Sequence, residues 1–297
     1  MAAQVEAREK LTYYSDYFSF VGQDGAGRVA FALDNNRGQD EDRFQAEHFA
    51  VLHDEHDGWQ PLRGSGSYPN LSGALESIPD SEYFQFRGTP ASGLVVESPA
   101  NGLALEMQPI LTRLARKRGS DRYRMGSATA LLRWKGRTLQ GRVIYEFVHL
   151  DNWNRLTRTY LGYWKAFHGF YLLMEDPVTG IQGDLYLHRQ ESRKLSPLMG
   201  LVDGFAGSGK DFVHLEGAQV SVREKSWTLG LYQWPLAWSG RWRGSAGGEE
   251  IEFDLRLSEK KNITNWVTGG FAMGIVDGIV YWGEGRLEAY GLGEIIE

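Results

Sequence analysis

Carboxylates and aromatic rings alternate with small residues in the closing segment of the chain, 280–291. If this segment is a single strand, alternate side chains project to the same side. One face then carries Trp282, Glu284, Arg286 and Glu288. Such a row can line a wet cavity and bind the polar end of a ligand, or it can pair internally and fix the strand register. Trp282 is therefore a candidate cavity wall and Glu284 a candidate ligand-binding residue.

A second carboxylate, Glu146, lies in the middle of the chain between two apolar neighbours on its own face of a predicted strand. Burial beside apolar side chains would raise the pKa of this carboxyl toward the range of a general acid. The structural alternative is an ion pair with an internal arginine. Tyr145, Phe147 and His149 share the opposite face, so His149 joins Glu146 only if a bulge interrupts the strand.

Histidines supply further candidates. His48 lies in a predicted strand between small alanines, which leaves space beside the ring, so it is a candidate pocket residue. His168 lies between Phe167 and Gly169 on an aromatic strand and is a similar candidate. His53 and His56 lie among acidic residues, as metal ligands often do, but the segment is typical of a solvated turn. No metal site is predicted.

Composition limits the class of protein. The chain has 297 residues, which favours two domains, and 13% of the residues are aromatic, which suits a core or a pocket for a large apolar ligand. The absence of cysteine excludes disulfides and thiolate chemistry. A net charge of −6 argues against nucleic acid as a partner. One basic cluster exists and is interpreted as a solvated loop: Arg113, Arg116, Lys117, Arg118, Arg122 and Arg124.

The elements that must position these residues are strands. Apolar and charged residues alternate without interruption in 250–257, and similar runs recur along the chain, separated by glycine-containing turns such as Lys135–Gly136. This pattern predicts an all-β barrel or sandwich. The best helix candidate is 108–118. No apolar run is long enough for a membrane helix, and the first ten residues lack a signal-peptide core, so we expect a cytoplasmic protein.

Several segments resemble, in the same order, the carotenoid 1,2-hydratase/AttH-like family. The aromatic run 13–22 with the following turn and strand is similar to the family's opening, and 123–141 is similar to its middle segment. The run 160–171 resembles the strand that opens the family's second barrel. Trp234–Trp238 and the closing segment also resemble family segments. The resemblance implies two tandem lipocalin-like (calycin) barrels with little helix, which we place at residues 1–155 and 156–297.

One departure concerns the family's middle strand, where members with hydratase activity carry a run of histidine, acidic and amide residues. The corresponding positions here are 144–148, and only the acid is retained, as Glu146. This leaves a carboxylate where the family has one. It also favours, as an alternative, a relative in which a shaped pocket folds the substrate and little acid–base chemistry occurs.

The resemblance implies a cofactor-independent enzyme that protonates a hydrophobic polyene or terpenoid-like small molecule and thereby hydrates or cyclises it. Glu146 is the predicted acid, with His149 or His48 assisting. Predicted substrate-binding residues are Trp153, Tyr163, Trp164, His168, Trp238, Trp282 and Glu284. The alternatives are a Diels–Alderase-type pericyclase of secondary metabolism and a non-catalytic protein that carries a hydrophobic ligand. Peripheral contact with a membrane is a further expectation, since it would give access to such a substrate.

Overall fold

The structure is a computed structural model that describes residues 10–40, 43–69, 75–154, 166–191, 198–228, 232–244, 249–266 and 269–296. Its residues form strands, turns and one 3-10 turn at Pro99–Asn101, and the all-β prediction is confirmed. The chain divides into two compact units, Met1–Thr159 and Tyr160–Glu297. The predicted boundary at 155/156 and the division at 159/160 both fall outside the described residues.

The first unit is one curled antiparallel sheet of eleven strands. Its strands are β1 (Lys10–Asp24), β2 (Gly27–Asp40), β3 (Arg43–Asp54), β4 (Gly58–Gln60), β5 (Gly66–Pro69), β6 (Gln85–Thr89), β7 (Gly93–Ser98), β8 (Leu103–Met107), β9 (Leu111–Arg118), β10 (Asp121–Trp134) and β11 (Arg137–Asn154). The order across the sheet is β4-β3-β2-β1-β11-β10-β8-β7-β6, with β5 beside β3 and β9 beside β10. Two meanders of neighbouring strands are thus joined by the pair β1–β11.

The second unit repeats this plan with nine strands in one sheet. They are β12 (Phe167–Glu175), β13 (Gln182–Gln190), β14 (Val202–Ser208), β15 (Asp211–His214), β16 (Gln219–Thr228), β17 (Tyr232–Arg243), β18 (Glu250–Trp266), β19 (Gly269–Trp282) and β20 (Gly285–Ile296). The order is β15-β14-β13-β12-β20-β19-β18-β17-β16, so the pair β12–β20 joins the two meanders.

Alternation along the strands builds the core of the first unit. On β1 and β2 the buried side chains of the main cluster include Phe18, Phe20, Phe31 and Leu33, which recur at every second residue and therefore share a face. Where β1 meets β11, a Cβ on Gly141 would lie 2.0 Å from the carbonyl oxygen of Val21. The close contact of these two central strands therefore requires glycine at position 141.

Three sequence-based expectations are wrong. Residues 111–118, within the best helix candidate, form β9, because their backbone pairs with β10 from Asp121 to Ser127. The basic residues 113–124 consequently lie on a strand hairpin and not in a loop. The closing segment is not one strand either. It turns at Gly283, whose φ of 57° is left-handed, so that Trp282 ends β19 and Arg286 belongs to β20.

Candidate functional site

A cavity of about 480 Å³ opens in the first unit, between β1, β10 and β11 on one side and the β6–β7 hairpin on the other. Its wall is mainly apolar and includes Ile78, Phe86, Leu94, Ile110 and Phe147. A few polar side chains are set in this wall: Asp16, Glu76, Ser77, Thr89, Thr112, Arg124 and Tyr145. An apolar pocket with a small number of converging polar groups is typical of a small-molecule site.

The carboxylate of Asp16 reaches this cavity from the middle of β1. It is 3% exposed and lies on the same face as Tyr14, Phe18 and Phe20, which belong to the core. A buried carboxylate is costly unless it is paired and hydrogen-bonded. The sequence therefore places a charge inside the barrel at a position that a hydrophobic residue would fill in a purely structural strand.

Arg37 on β2 supplies the pairing charge. Its Nη2 lies 2.6 Å from Asp16 Oδ2, and the Arg37 side chain is fully buried. The same guanidinium donates hydrogen bonds from Nη1 to Asn35 Oδ1 at 2.7 Å and from Nε to the carbonyl oxygen of Leu75 at 2.8 Å. These bonds hold the guanidinium in one orientation, so the ion pair is rigid.

Tyr145 on β11 completes the group by donating its hydroxyl hydrogen to Asp16 Oδ1. Its ring stacks on Phe18 with a centroid distance of 5.2 Å. Burial and, next, the Asp16 carboxylate raise the pKa of the Tyr145 hydroxyl above its ordinary value. Tyr145 is therefore a neutral hydrogen-bond donor at physiological pH. Asp16, Arg37 and Tyr145 are called the carboxylate triad below.

The triad gives the cavity one chemical capacity, which is proton transfer. A carboxylate fixed at the wall of an apolar pocket can take a proton from a bound molecule and return it, and a fixed tyrosine hydroxyl can donate a hydrogen bond to an oxygen. Asn35 lies opposite Asp16 on β2 and is not among the residues that line the cavity. Within the described part of the chain, its buried Nδ2 has no hydrogen-bond partner, while its Oδ1 is held by Arg37.

His48 lies deep in the same barrel, opposite Asn35 in the pairing of β2 with β3. It is 1% exposed, contacts Phe84 and Phe86 edge to face, and its Nδ1 lies 3.2 Å from Ser81 Oγ. Burial and, to a smaller extent, the charge of Arg37 lower the pKa of His48 to about 3. The ring is therefore neutral near pH 7. It is not among the residues that line the cavity.

The lowered pKa of His48 predicts that the protein loses stability in acid. In the unfolded chain the ring takes up a proton below its ordinary pKa of 6.5, whereas in the folded protein it stays neutral down to about pH 3. Stability from this group is complete above pH 6.5 and falls between pH 6.5 and 3 by about 1.4 kcal/mol per pH unit. In urea unfolding over this range, the variant His48→Gln should show a slope reduced by that amount. An unchanged slope would contradict the assignment.

Glu146, the predicted acid, lies on the face of β11 opposite to Tyr145. Its strand neighbours are Tyr17 on β1 and Met125 on β10, and it does not line the cavity, whereas Tyr145 and Phe147 do. His149 shares the face of Tyr145, stacks on Tyr14 at 4.3 Å and lies 3.1 Å from Asp151 Oδ1. No bulge brings Glu146 and His149 to one face, because the pairing of β11 with β10 is regular from position 137 to 149.

Four of the other predicted binding residues, His168, Trp238, Trp282 and Glu284, lie in the second unit. His168 and Trp238 meet in the core of this unit, where Trp238 Nε1 donates a hydrogen bond to His168 Nδ1 at 3.1 Å. The indole ring of Trp238 packs edge to face on Phe170, with a centroid distance of 4.9 Å. Trp282 is half-buried against the core of this unit, and Glu284 is exposed in the turn before β20. For Trp153 only the backbone is described, paired with Leu11. Tyr163 and Trp164 lie outside the described residues.

Sequence reasoning missed the triad, although each member carried a signal. Asp16 alternates with core aromatics on β1, which is the same pattern that singled out Glu146. The alternation on β11 puts Tyr145 on the correct face but gives it no role. Arg37 belongs to a polar run, 34–37, that follows the apolar segment 29–33 of β2. What the sequence lacked was the pairing of β1 with both β2 and β11, which brings the three together.

Metal-binding clusters and membrane-spanning helices are both absent from the described residues. Within them, no group of three or more histidine, aspartate or glutamate side chains is arranged to hold a metal ion. None of the helical segments in the described ranges has the length and apolar character needed to cross a bilayer.

Comparison with known proteins gives a fold. No protein-family model matches the chain, and no curated protein does. A crystal structure of an AttH from Nitrosomonas europaea is similar, with a TM-score of 0.60 and 7% identity over 97% of this chain and 92% of that one. Kievitone hydratase from Nectria haematococca and CghA with Sch210972 each give a TM-score of 0.48, with 9% and 12% identity, over 96% of this chain and 88% of theirs. The chain has the fold of the AttH structure, two tandem lipocalin-like barrels of antiparallel strands.

Proposed function

We propose that the protein is a cofactor-independent hydratase or cyclase that acts on a hydrophobic small molecule bound in the cavity of the first unit. The observation that carries the proposal is the carboxylate triad, a buried proton-transfer group at the wall of a cavity that is mainly apolar. The resemblance of the sequence to the carotenoid 1,2-hydratase/AttH-like family supports a polyene or terpenoid-like substrate.

In the proposed reaction Asp16 acts first as a base, because it is an ion-paired carboxylate. It takes a proton from water as the water oxygen bonds to one carbon of a double bond that is conjugated with a carbonyl group of the polyene or terpenoid-like substrate, and it returns a proton to the neighbouring carbon. If a hydroxyl of the substrate replaces the water, the same two transfers close a ring. Arg37 balances the charge of Asp16 and Tyr145 holds its second oxygen, so both act as positioning residues for the carboxylate.

Identification of the substrate is the first step of the test. Small molecules that co-purify with the full chain are extracted and identified by mass spectrometry, then returned to the purified protein and followed over time. We expect a compound with a conjugated double bond that is converted to a hydrate or a ring isomer. Recovery of every bound compound unchanged after long incubation would contradict the proposal.

A single substitution tests the role of the triad. The variant Tyr145→Phe removes one hydrogen bond to Asp16 and leaves the ion pair intact. The protein should remain folded, and we expect kcat to fall by about 10- to 100-fold. Glu146→Gln is the matched control on the same strand, because its side chain is on the opposite face and does not line the cavity. Equal kcat values for the two variants would contradict the assignment of the triad as the proton-transfer group.

A carrier protein is the second candidate. It is favoured by one observation: the Asp16 oxygens are each engaged, one by Arg37 and one by Tyr145, as they would be in a structural ion pair. A carrier should release its ligand chemically unchanged, and Tyr145→Phe should then alter its dissociation constant only.

A further inference from the structure

Three charged residues line the cavity, and they differ in how their charges are balanced. The charge of Asp16 is balanced inside the protein by Arg37 at 2.6 Å. Glu76 and Arg124 lie at the exposed part of the wall. Among the described residues, Arg124 has no carboxylate within ion-pair distance, and Glu76 has no cation within that distance.

The arginines of the first unit are not all like Arg124 in this respect. Six of them have a carboxylate within 4.0 Å: Arg28 with Glu55, Arg37 with Asp16, Arg87 with Glu97, Arg118 with Asp121, Arg133 with Glu106, and Arg137 with Asp24 and Asp54. The cation beside the cavity is thus left without the partner that the fold supplies to these others. An unbalanced arginine at the wall of a pocket is a common way of binding an acidic ligand group.

The guanidinium of Arg124 also contacts an aromatic ring of the cavity wall. Its Cζ lies 4.6 Å from the ring centroid of Phe147, which lines the same cavity. A guanidinium that rests on a ring uses its flat face, so its in-plane N–H groups stay available for an anionic oxygen pair. Across the β9–β10 hairpin its partner is Ala115, a small residue that leaves the guanidinium uncovered.

Two more cations extend the positive surface away from the cavity. Arg122 on β10 is paired with Lys117 on β9, and this pair lies two residues from the pair of Arg124 with Ala115. Arg122, Lys117 and Arg124 therefore share one face of the hairpin. Carboxylates near this face are Glu76 and Asp151, and Asp151 already lies 3.1 Å from His149 Nε2. Cations are therefore in excess on the side of the hairpin that leads to the cavity.

We propose that the ligand of this cavity carries an anionic oxygen group, a carboxylate or a phosphate, that binds Arg124 at the mouth while its apolar body fills the cavity. The inference rests on the proposed function in that it uses the same cavity. It adds a substrate class: an amphipathic acid and not a neutral hydrocarbon. The acidic end then lies at the hairpin, and the apolar part extends toward Tyr145 and Asp16.

Binding of three probes with one carbon skeleton tests this inference. Farnesol, farnesoate and farnesyl phosphate are titrated into the full chain by isothermal calorimetry at low ionic strength. We expect the tighter-binding anion to bind about fivefold to tenfold more tightly than farnesol. The identity of that anion shows whether the site prefers a carboxylate or a phosphate. The preference should shrink as salt is added.

Two variants that each remove one cation from β10 distinguish direct binding by Arg124 from a general effect of the protein's charge. Arg124→Gln should abolish the preference for the anion and leave farnesol binding unchanged. Arg133→Gln, which lies outside this cavity, should leave both unchanged. Glu76→Gln should increase anion binding by a few-fold, because it removes a like charge at the mouth.

The outcomes also separate this inference from the proposed function. If wild type binds farnesol and both anions equally, or if Arg124→Gln weakens all three alike, the acidic-ligand inference is overturned while catalysis at the triad stands. If none of the three probes binds, the acidic-ligand inference is overturned, whereas the proposed function is decided by the conversion of the co-purified compound.

Discussion

Replacement of Asp16 by asparagine is expected to lower kcat for the identified substrate by about 10²- to 10⁴-fold, the contribution of a positioned acid–base group. Asparagine has nearly the same shape and can still accept a hydrogen bond from Tyr145, but it cannot take up a proton. The expected loss therefore reports proton transfer and not the shape of the pocket. Single-turnover kinetics on saturated protein measure it, since saturation removes any effect on binding.

The matched control for this variant is again Glu146→Gln, which removes a carboxylate of the same β-sheet from the opposite face. Ligand affinity and the circular dichroism spectrum establish that Asp16→Asn is folded. A folded Asp16→Asn variant with wild-type kcat would exclude the carboxylate mechanism. It would favour a pericyclase, in which the wall of the cavity folds the substrate and no proton moves.

The second large effect is on stability. Arg37→Met should lower the free energy of unfolding by about 3–5 kcal/mol, because it leaves the Asp16 carboxylate buried without its partner. The substitution also removes the donors that satisfy Asn35 Oδ1 and the carbonyl oxygen of Leu75. Urea unfolding of the full chain measures the loss as a lower midpoint of the transition of the first unit.

The double variant Asp16→Asn, Arg37→Met is the test that assigns this loss to charge. With both charges removed, no isolated ion remains buried, and we expect most of the stability lost in Arg37→Met to return. If the double variant is as unstable as Arg37→Met, the loss comes from packing around the guanidinium and the ion pair contributes little.

The fold could be predicted from the sequence because its signal is local. Alternation in segments such as 250–257 and 128–134 is a property of neighbouring residues, and these segments are strands β18 and β10. The failures arose where the local pattern is ambiguous. Residues 111–118 combine basic and apolar residues without clear alternation, and only their pairing with β10 decides that they form a strand.

The candidate site could be predicted only in part because it is assembled from residues that are far apart in the sequence. The alternation on β11 correctly separated Tyr145 from Glu146, but it did not indicate which of the two faces holds the cavity. Asp16 and Arg37 lie more than a hundred residues before Tyr145, and no local pattern connects them. His168 and Trp238 show a different limit of sequence analysis. Their residue types suggest a binding site, but the two side chains contact each other in the core of the second unit.

The joining of two meanders by β1 and β11 has a consequence for when the chain can do chemistry. The hydrogen bond between Tyr145 and Asp16 spans 129 residues and crosses this junction. Each meander can pair locally, but a chain with only one of them formed has an incomplete triad and no enclosing wall. Long-range pairing of this kind forms slowly and late in folding. A partly folded chain would therefore be inert, and appearance of activity would mark the moment at which the first barrel is assembled.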